Sequence, residues 1–272
     1  VNTSIVGNQT SPSVVCMADG TFMIAWEQEG NGDEEPEIYA QRFSPDGSKF
    51  GDEFQVNTFV PNDQRYPALA RLANTGVIAT WASNGQENSW DIFSQRFNKG
   101  FVKDGAEQLS NKFTNSLQSY PAVAGFGGVK AGAYVSTWES FGKDAGSLGI
   151  VINLFDKTGK AVYNDDVLVN KLAQIGPQRD PAVAVLDDNH FVVAWETQAL
   201  GDDDDQEGIG AKVFDANGLE LTANEFLVNE EIDGKQVNAD IAAIPGNGYV
   251  VVWFSNPGGD NYSIQGRVFK VE

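Results

Sequence analysis

Short apolar runs separated by turn residues recur along the chain in sets of four. The second run of each set is apolar at nearly every position and ends in tryptophan. These runs are F-M-I-A-W at 22–26, V-I-A-T-W at 77–81, Y-V-S-T-W at 134–138, F-V-V-A-W at 191–195 and Y-V-V-V-W at 249–253. Trp26, Trp81, Trp138, Trp195 and Trp253 stand 55 to 58 residues apart. No segment shows a 3.6-residue period, so these are strands, and apolar residues on both faces predict strands covered on both sides.

The other runs repeat with the same spacing. The first opens on Gln9, Gln64, Gln118, Gln178 or Gln236, and three residues later comes Pro12, Pro67, Pro121, Pro181 or, in the fifth copy, Ala239. The third ends in phenylalanine, as in I-Y-A-Q-R-F at 38–43 and I-G-A-K-V-F at 209–214, and four of the five lead into turn chemistry such as S-P-D-G or D-A-N-G. The fourth is short and closes on Val56-Asn57, Ser110-Asn111, Val169-Asn170 or Val228-Asn229.

Repeated four-stranded units of this length predict blades. The expected fold is all-β: a five-bladed β-propeller of four-stranded antiparallel blades. The whole of 1–272 is read as one propeller domain, with repeats at about 8–57, 58–111, 112–170, 171–229 and 230–272 plus 1–6. The last repeat lacks a fourth run, and the chain begins with Val1-Asn2, the dipeptide that closes the others. The N-terminal segment is therefore expected to join the last blade as its outer strand, closing the ring and hiding a sheet edge.

Charge narrows the partners. The net charge of −20 argues against nucleic acid and against anionic membrane surfaces. No apolar run is long enough for a membrane-spanning helix. Cys16 is the only cysteine, so neither an internal disulfide nor a cysteine-based zinc site can form. The first residue is Val rather than Met, which is read as removal of something upstream.

The pattern P-A-V-A, F-V-V-A-W-E, F-D-A-N-G, E-F-L-V-N across 181–229 resembles a tandem repeat of large secreted bacterial proteins, many of which carry calcium-binding or adhesin segments, and of ciliate surface proteins. The resemblance covers essentially the whole chain. Ala82 in place of the Glu after Trp, and the Gly-rich stretch 125–132, depart from it. It implies a secreted or cell-surface binding protein associated with calcium, and it fixes no ligand.

In a propeller the loop after the second strand and the crossing into the next first strand share one face. The second loops are acidic. Ca²⁺ takes six to eight oxygens, and Asp202, Asp203, Asp204, Asp205 and Glu207, with Asp33 and Glu34 in the first repeat, are its candidate ligands. Trp90 with Asn84, Gln86 and Asn88, and Tyr262 with Asp260 and Asn261, each set an aromatic plane beside amides or acids, as a sugar site needs. Packing against the neighbouring blade is the alternative role for Trp90. The recurring Gln is read as a structural group satisfying a buried crossing.

Among the inner strands Asp240 is the lone acid, and glycoside hydrolysis needs a carboxylate pair. With His190 the only histidine, no triad can be assembled. The expectation is a non-catalytic extracellular binding or adhesion module, with a glycan as ligand and Ca²⁺ as a candidate cofactor. The alternative is a scaffold subunit of a surface structure that binds protein partners, and a glycoside hydrolase is the distant third.

Overall fold

A computed structural model describes residues 1–271 except 31–34, 74–75, 88, 146, 173–175, 188–189, 199–206 and 257–260. Nineteen strands and one 3-10 turn, Gly128–Lys130, make up the described secondary structure. The first blade contains β1 (Gln9–Cys16), β2 (Phe22–Gln28), β3 (Glu37–Phe43) and β4 (Phe54–Gln55). The second contains β5 (Gln64–Leu72), β6 (Gly76–Asn84), β7 (Trp90–Asn98) and β8 (Gln108–Leu109). The third contains β9 (Gln118–Gly125), β10 (Tyr134–Asp144), β11 (Ser147–Phe155) and β12 (Val167–Leu168). The fourth contains β13 (Arg179–Val185), β14 (His190–Thr197), β15 (Gly208–Asp215) and β16 (Phe226–Leu227). The fifth contains β17 (Lys235–Ile244), β18 (Gly248–Asn256) and β19 (Ser263–Lys270). Each blade is a separate antiparallel sheet with its strands in chain order.

The blades stack through their faces. The inner strands follow one another as β1, β5, β9, β13 and β17 around an axis. Small side chains suit that crowded position: a Cβ added at Gly125 would lie 2.1 Å from the Arg71 carbonyl of the neighbouring inner strand. Trp81, Trp138 and Trp195 are fully buried between blades, and β6 and β14 are buried along nearly their whole length.

The repeated Val-Asn has a local cause. The Oδ1 atoms of Asn57, Asn111, Asn170 and Asn229 accept the N–H groups of Ile38, Ile92, Ile150 and Ile209 at 2.7–2.9 Å, where the third strands begin. The side-chain amides of Asn57, Asn111 and Asn229 donate to the carbonyl two residues on. Each such asparagine pins the short fourth strand to the third and turns the chain toward the next blade.

The recurring glutamine is structural, as expected. Gln64, Gln118, Gln178 and Gln236 accept the indole N–H of Trp81, Trp138, Trp195 and Trp253 at 3.0–3.1 Å. In the first blade the pattern breaks: Trp26 donates to Gln28 at 3.2 Å instead.

The N-terminal fourth strand expected on the last blade is not formed among the described residues. Residues 1–8 form no strand, and Thr3 and Asn8 bond to Lys49 and Glu29 of the first blade. Among the described residues the fifth sheet has three strands, and no contact comparable to those between the other inner strands joins β17 to β1.

Candidate functional site

The first strand of every blade carries a bulge at the same place. Pairing with the second strand shifts register at Thr10/Ser13, Arg65/Ala68, Arg179/Ala182 and Val237/Asp240, and opposite Tyr120 in the third blade. The residue just before the proline (Ala239 in the fifth blade) takes left-handed backbone: Ser11 at φ 49°, Tyr66 at 58°, Tyr120 at 49°, Asp180 at 47° and Asn238 at 53°. Proline, which has no N–H, is tolerated at such a bulge. For tyrosine the conformation is strained, and strain of this kind persists only where the surroundings enforce it.

The enforcing group comes from the preceding blade. The glutamate after the tryptophan reaches across, and its carboxylate accepts the N–H of the left-handed residue. Glu27 takes Tyr66 at 2.7 Å, Glu139 takes Asp180 at 2.8 Å and Glu196 takes Asn238 at 2.5 Å. Glu27, Glu139 and Glu196 are buried. The second blade has Ala82 at this position, and there the rings of Tyr66 and Tyr120 stack across the interface, 4.0 Å between centroids and 23° between planes.

All five left-handed residues, with Pro12, Pro67, Pro121, Pro181 and Ala239 behind them, line one cavity of about 310 Å³ at the mouth of the axis. The crossings that lead into it bond to the chain where each second loop enters the third strand: Gln64 N–H to Pro36, Gln178 N–H to Leu148 and Gln236 N–H to Glu207. The mouth therefore opens on the face that carries those loops. Its wall presents two stacked phenols, a carboxyl, an amide and a hydroxyl.

Burial sets the protonation of the acids there. Glu139 is pushed up to about 7 by burial, against the Asp180 N–H that favours its charge. Glu196 is likewise raised to about 7, first by burial, with the neighbouring Asp180 charge adding to the rise. Asp180 is also raised by burial and hydrogen-bonds Glu196, so this pair keeps protons more readily than exposed carboxyls do. The Tyr120 hydroxyl is raised by its hydrogen bond with Tyr66 and by burial, and stays protonated.

The residues picked out from the sequence lie elsewhere. Trp90 opens β7 and lies half-buried against the cluster of Ala82, Ile92, Trp138 and Val151. Asn84 pairs with it across the hairpin. Gln86 donates to Glu107 at 2.8 Å and accepts from Ser83 at 3.2 Å, so its amide is engaged within the blade. Tyr262 is 55% exposed and meets Phe254 edge-on, and Asn261 is exposed beside it. Asn88 and Asp260 lie outside the described residues.

So do Asp33, Glu34, Asp202, Asp203, Asp204 and Asp205. The one described member of the calcium set, Glu207, is ion-paired with Lys235 at 2.9 Å. Among the described residues no three His, Cys, Asp or Glu side chains form a group able to hold a metal.

The residues of the mouth left a trace in the sequence. Between a constant Gln and a nearly constant Pro, the position before the proline reads Ser, Tyr, Tyr, Asp, Asn. Variation at one register inside a fixed frame marks a side chain freed from packing, and Asn and Asp there signal left-handed backbone.

No model of a known protein family matches the chain, and no curated protein is similar to it in sequence. Solved structures do share its fold. The α-L-arabinofuranosidase of Lactobacillus brevis matches with a TM-score of 0.53 at 11% identity, over 100% of this chain and 93% of its own. The endo-arabinase of Bacteroides thetaiotaomicron matches at 0.51 and 12%, over 100% and 97%. The family 93 α-L-arabinofuranosidase of Fusarium graminearum, solved with arabinobiose, matches at 0.52 and 12%, over 96% and 93%. The chain shares the glycoside hydrolase propeller fold. Identity this low speaks for fold alone.

The expectation of a non-catalytic chain is corrected here. Enzymes that act on arabinose-containing glycans are among the structures that share this fold, so catalysis is open to it. Its premise also fails, because Asp240 is not the only acid near the axis: Asp180 lines the mouth and Glu196 backs it.

Proposed function

We propose that the axial mouth binds a saccharide. One observation carries this reading: five left-handed backbone positions turn Ser11, Tyr66, Tyr120, Asp180 and Asn238 into a single cavity. Aromatic faces provide apolar contact for the C–H face of a sugar, and carboxyl, amide and hydroxyl groups exchange hydrogen bonds with its hydroxyls. A carboxyl pair that shares a hydrogen bond and is raised by burial can both donate and accept, which suits a neutral sugar better than a cation. The protein-scaffold alternative has no comparable feature behind it.

The test is a panel of neutral immobilised glycans probed with and without chelator. Retention of at least one glycan is expected in both conditions. Binding that vanishes with chelator would move the site to the acidic loops, and no binding to any glycan would remove the proposal.

Hydrolysis is a second reading, favoured by the Asp180–Glu196 pair as a proton donor and by a fold shared with arabinan-cleaving enzymes. Inverting and retaining hydrolysis both require a second carboxylate roughly 5–9.5 Å from the first. Release of reducing ends from arabino-oligosaccharides, lost in Asp180→Asn, supports this reading. Unchanged oligosaccharide after prolonged incubation, with binding retained, eliminates it.

A further inference from the structure

The glutamate that holds a left-handed residue of the next blade is present in three blades and absent from two. The position after the tryptophan reads Glu27, Ala82, Glu139, Glu196 and Phe254. At Ala82 the missing carboxylate coincides with the two tyrosines of the mouth. Tyr120 is the residue that a glutamate at this position would hold, and at φ 49° it has the same strained backbone as Asp180 and Asn238. Strain of this kind needs a contact that enforces it.

Tyr66 supplies that contact. Ala82 is fully buried and ends at its methyl group, and Tyr66 packs beside it, against the cluster of Ala82, Ile92, Trp138 and Val151. From there its ring stacks on that of Tyr120, and the two side chains share a hydrogen bond. The backbone of Tyr66 is itself fixed from the other side, where Glu27 accepts its N–H. A glutamate in place of Ala82, set as Glu27, Glu139 and Glu196 are, would compete with the Tyr66 ring for this space. The small residue and the aromatic pair therefore go together.

The two phenols have different parts to play. Tyr66 is half-buried and gives one face to Tyr120. Tyr120 is 39% exposed, so the remainder of its ring is what the mouth presents. The next inner strand around the axis brings Asp180, whose backbone Glu139 holds at 2.8 Å. Tyr120 and Asp180 line the same cavity. An aromatic surface beside a carboxyl matches a neutral sugar ring, which is apolar on its C–H face and carries hydroxyls at its edge.

Resting on the saccharide reading of the mouth, we propose that Tyr120 is the residue on which the sugar ring stacks. Tyr66 is a positioning residue that holds it there, and alanine at position 82 determines this mode of binding by making room for Tyr66. Loss of the carboxylate clamp in the second blade is thus what gives the mouth its aromatic wall.

Calorimetric binding of a neutral oligosaccharide from the glycan panel, together with thermal unfolding of the same chains, tests this. Ala82→Glu is expected to lower affinity about tenfold, the scale of one aromatic contact. Its melting temperature is expected to stay near that of the wild type, since three blades already carry glutamate here. Ala82→Ser keeps the room and is expected to bind as the wild type does. Tyr66→Leu keeps apolar packing without the stack and is expected to lose affinity, whereas Tyr66→Phe keeps the ring and is expected to retain it. A folded Ala82→Glu chain with wild-type affinity overturns the proposal and leaves the saccharide reading standing. If Ala82→Glu melts early, equal affinities for Tyr66→Leu and Tyr66→Phe overturn it instead. A wild-type chain that binds no glycan removes the saccharide reading and the proposal with it.

Discussion

A buried glutamate that accepts the N–H of a left-handed residue in the next blade does two things at once. It fixes the angle between blades and holds a side chain at the axis. Because burial raises Glu139 and Glu196 from 4.5 to about 7, the folded protein keeps protons there that the unfolded chain releases between those values. Their contribution to stability therefore falls as pH rises from 4.5 to about 7 and is constant above that. The double variant Glu139→Gln, Glu196→Gln keeps an oxygen acceptor and removes the titration. Subtracting its melting curve from that of the wild type across this window should leave a difference that moves in the variant's favour as pH rises. A pH-independent difference would show that neither acid is raised. At Asn238, φ 53°, glycine should cost less than about 0.5 kcal/mol while valine should cost about 1–3 kcal/mol by urea unfolding. Equal costs would mean that the backbone there is not strained.

At the level of elements, the asparagine that closes each blade acts as a rivet. Asn111 accepts from Ile92 and donates to Asp91 and Phe113, all from a fully buried position. Asn111→Ala leaves at least one buried N–H and a buried carboxylate without a partner, which costs about 2–4 kcal/mol. Urea unfolding measures this, and a loss under 1 kcal/mol would contradict the role. The four-stranded blade and its strand order were legible because apolar runs and turn residues repeat, whereas the fourth strand expected for the fifth blade is not formed among the described residues. The bulge was not read, since an apolar-polar pattern reports which face a residue occupies and not the sign of φ. The packing of Trp90 was hidden for a related reason. An aromatic outside the repeat looks like a ligand group, yet the gap it fills beside Trp138 becomes visible only once two blades are side by side.

At the scale of the molecule, five sheets around an axis follow from the repeat, whereas the site follows from convergence. Ser11, Tyr66, Tyr120, Asp180 and Asn238 span more than two hundred residues of sequence and meet in one cavity. No local pattern joins them, and a search confined to inner-strand acids passes over Asp180 because it sits one residue before the strand's apolar stretch. The acidic loops are dense in charge in the sequence, but most of their acids lie outside the described residues, and Glu207 is paired to Lys235. A site built by convergence at an axis is single, whereas sites built on loops would occur once per blade. Titration calorimetry with a soluble neutral oligosaccharide taken from the glycan panel distinguishes the two. One molecule per chain is expected, with binding lost in Tyr66→Ala and Tyr120→Ala and kept in Trp90→Ala. Several molecules per chain, or binding that survives the tyrosine changes and fails with Trp90→Ala, would contradict a saccharide site at the axial mouth.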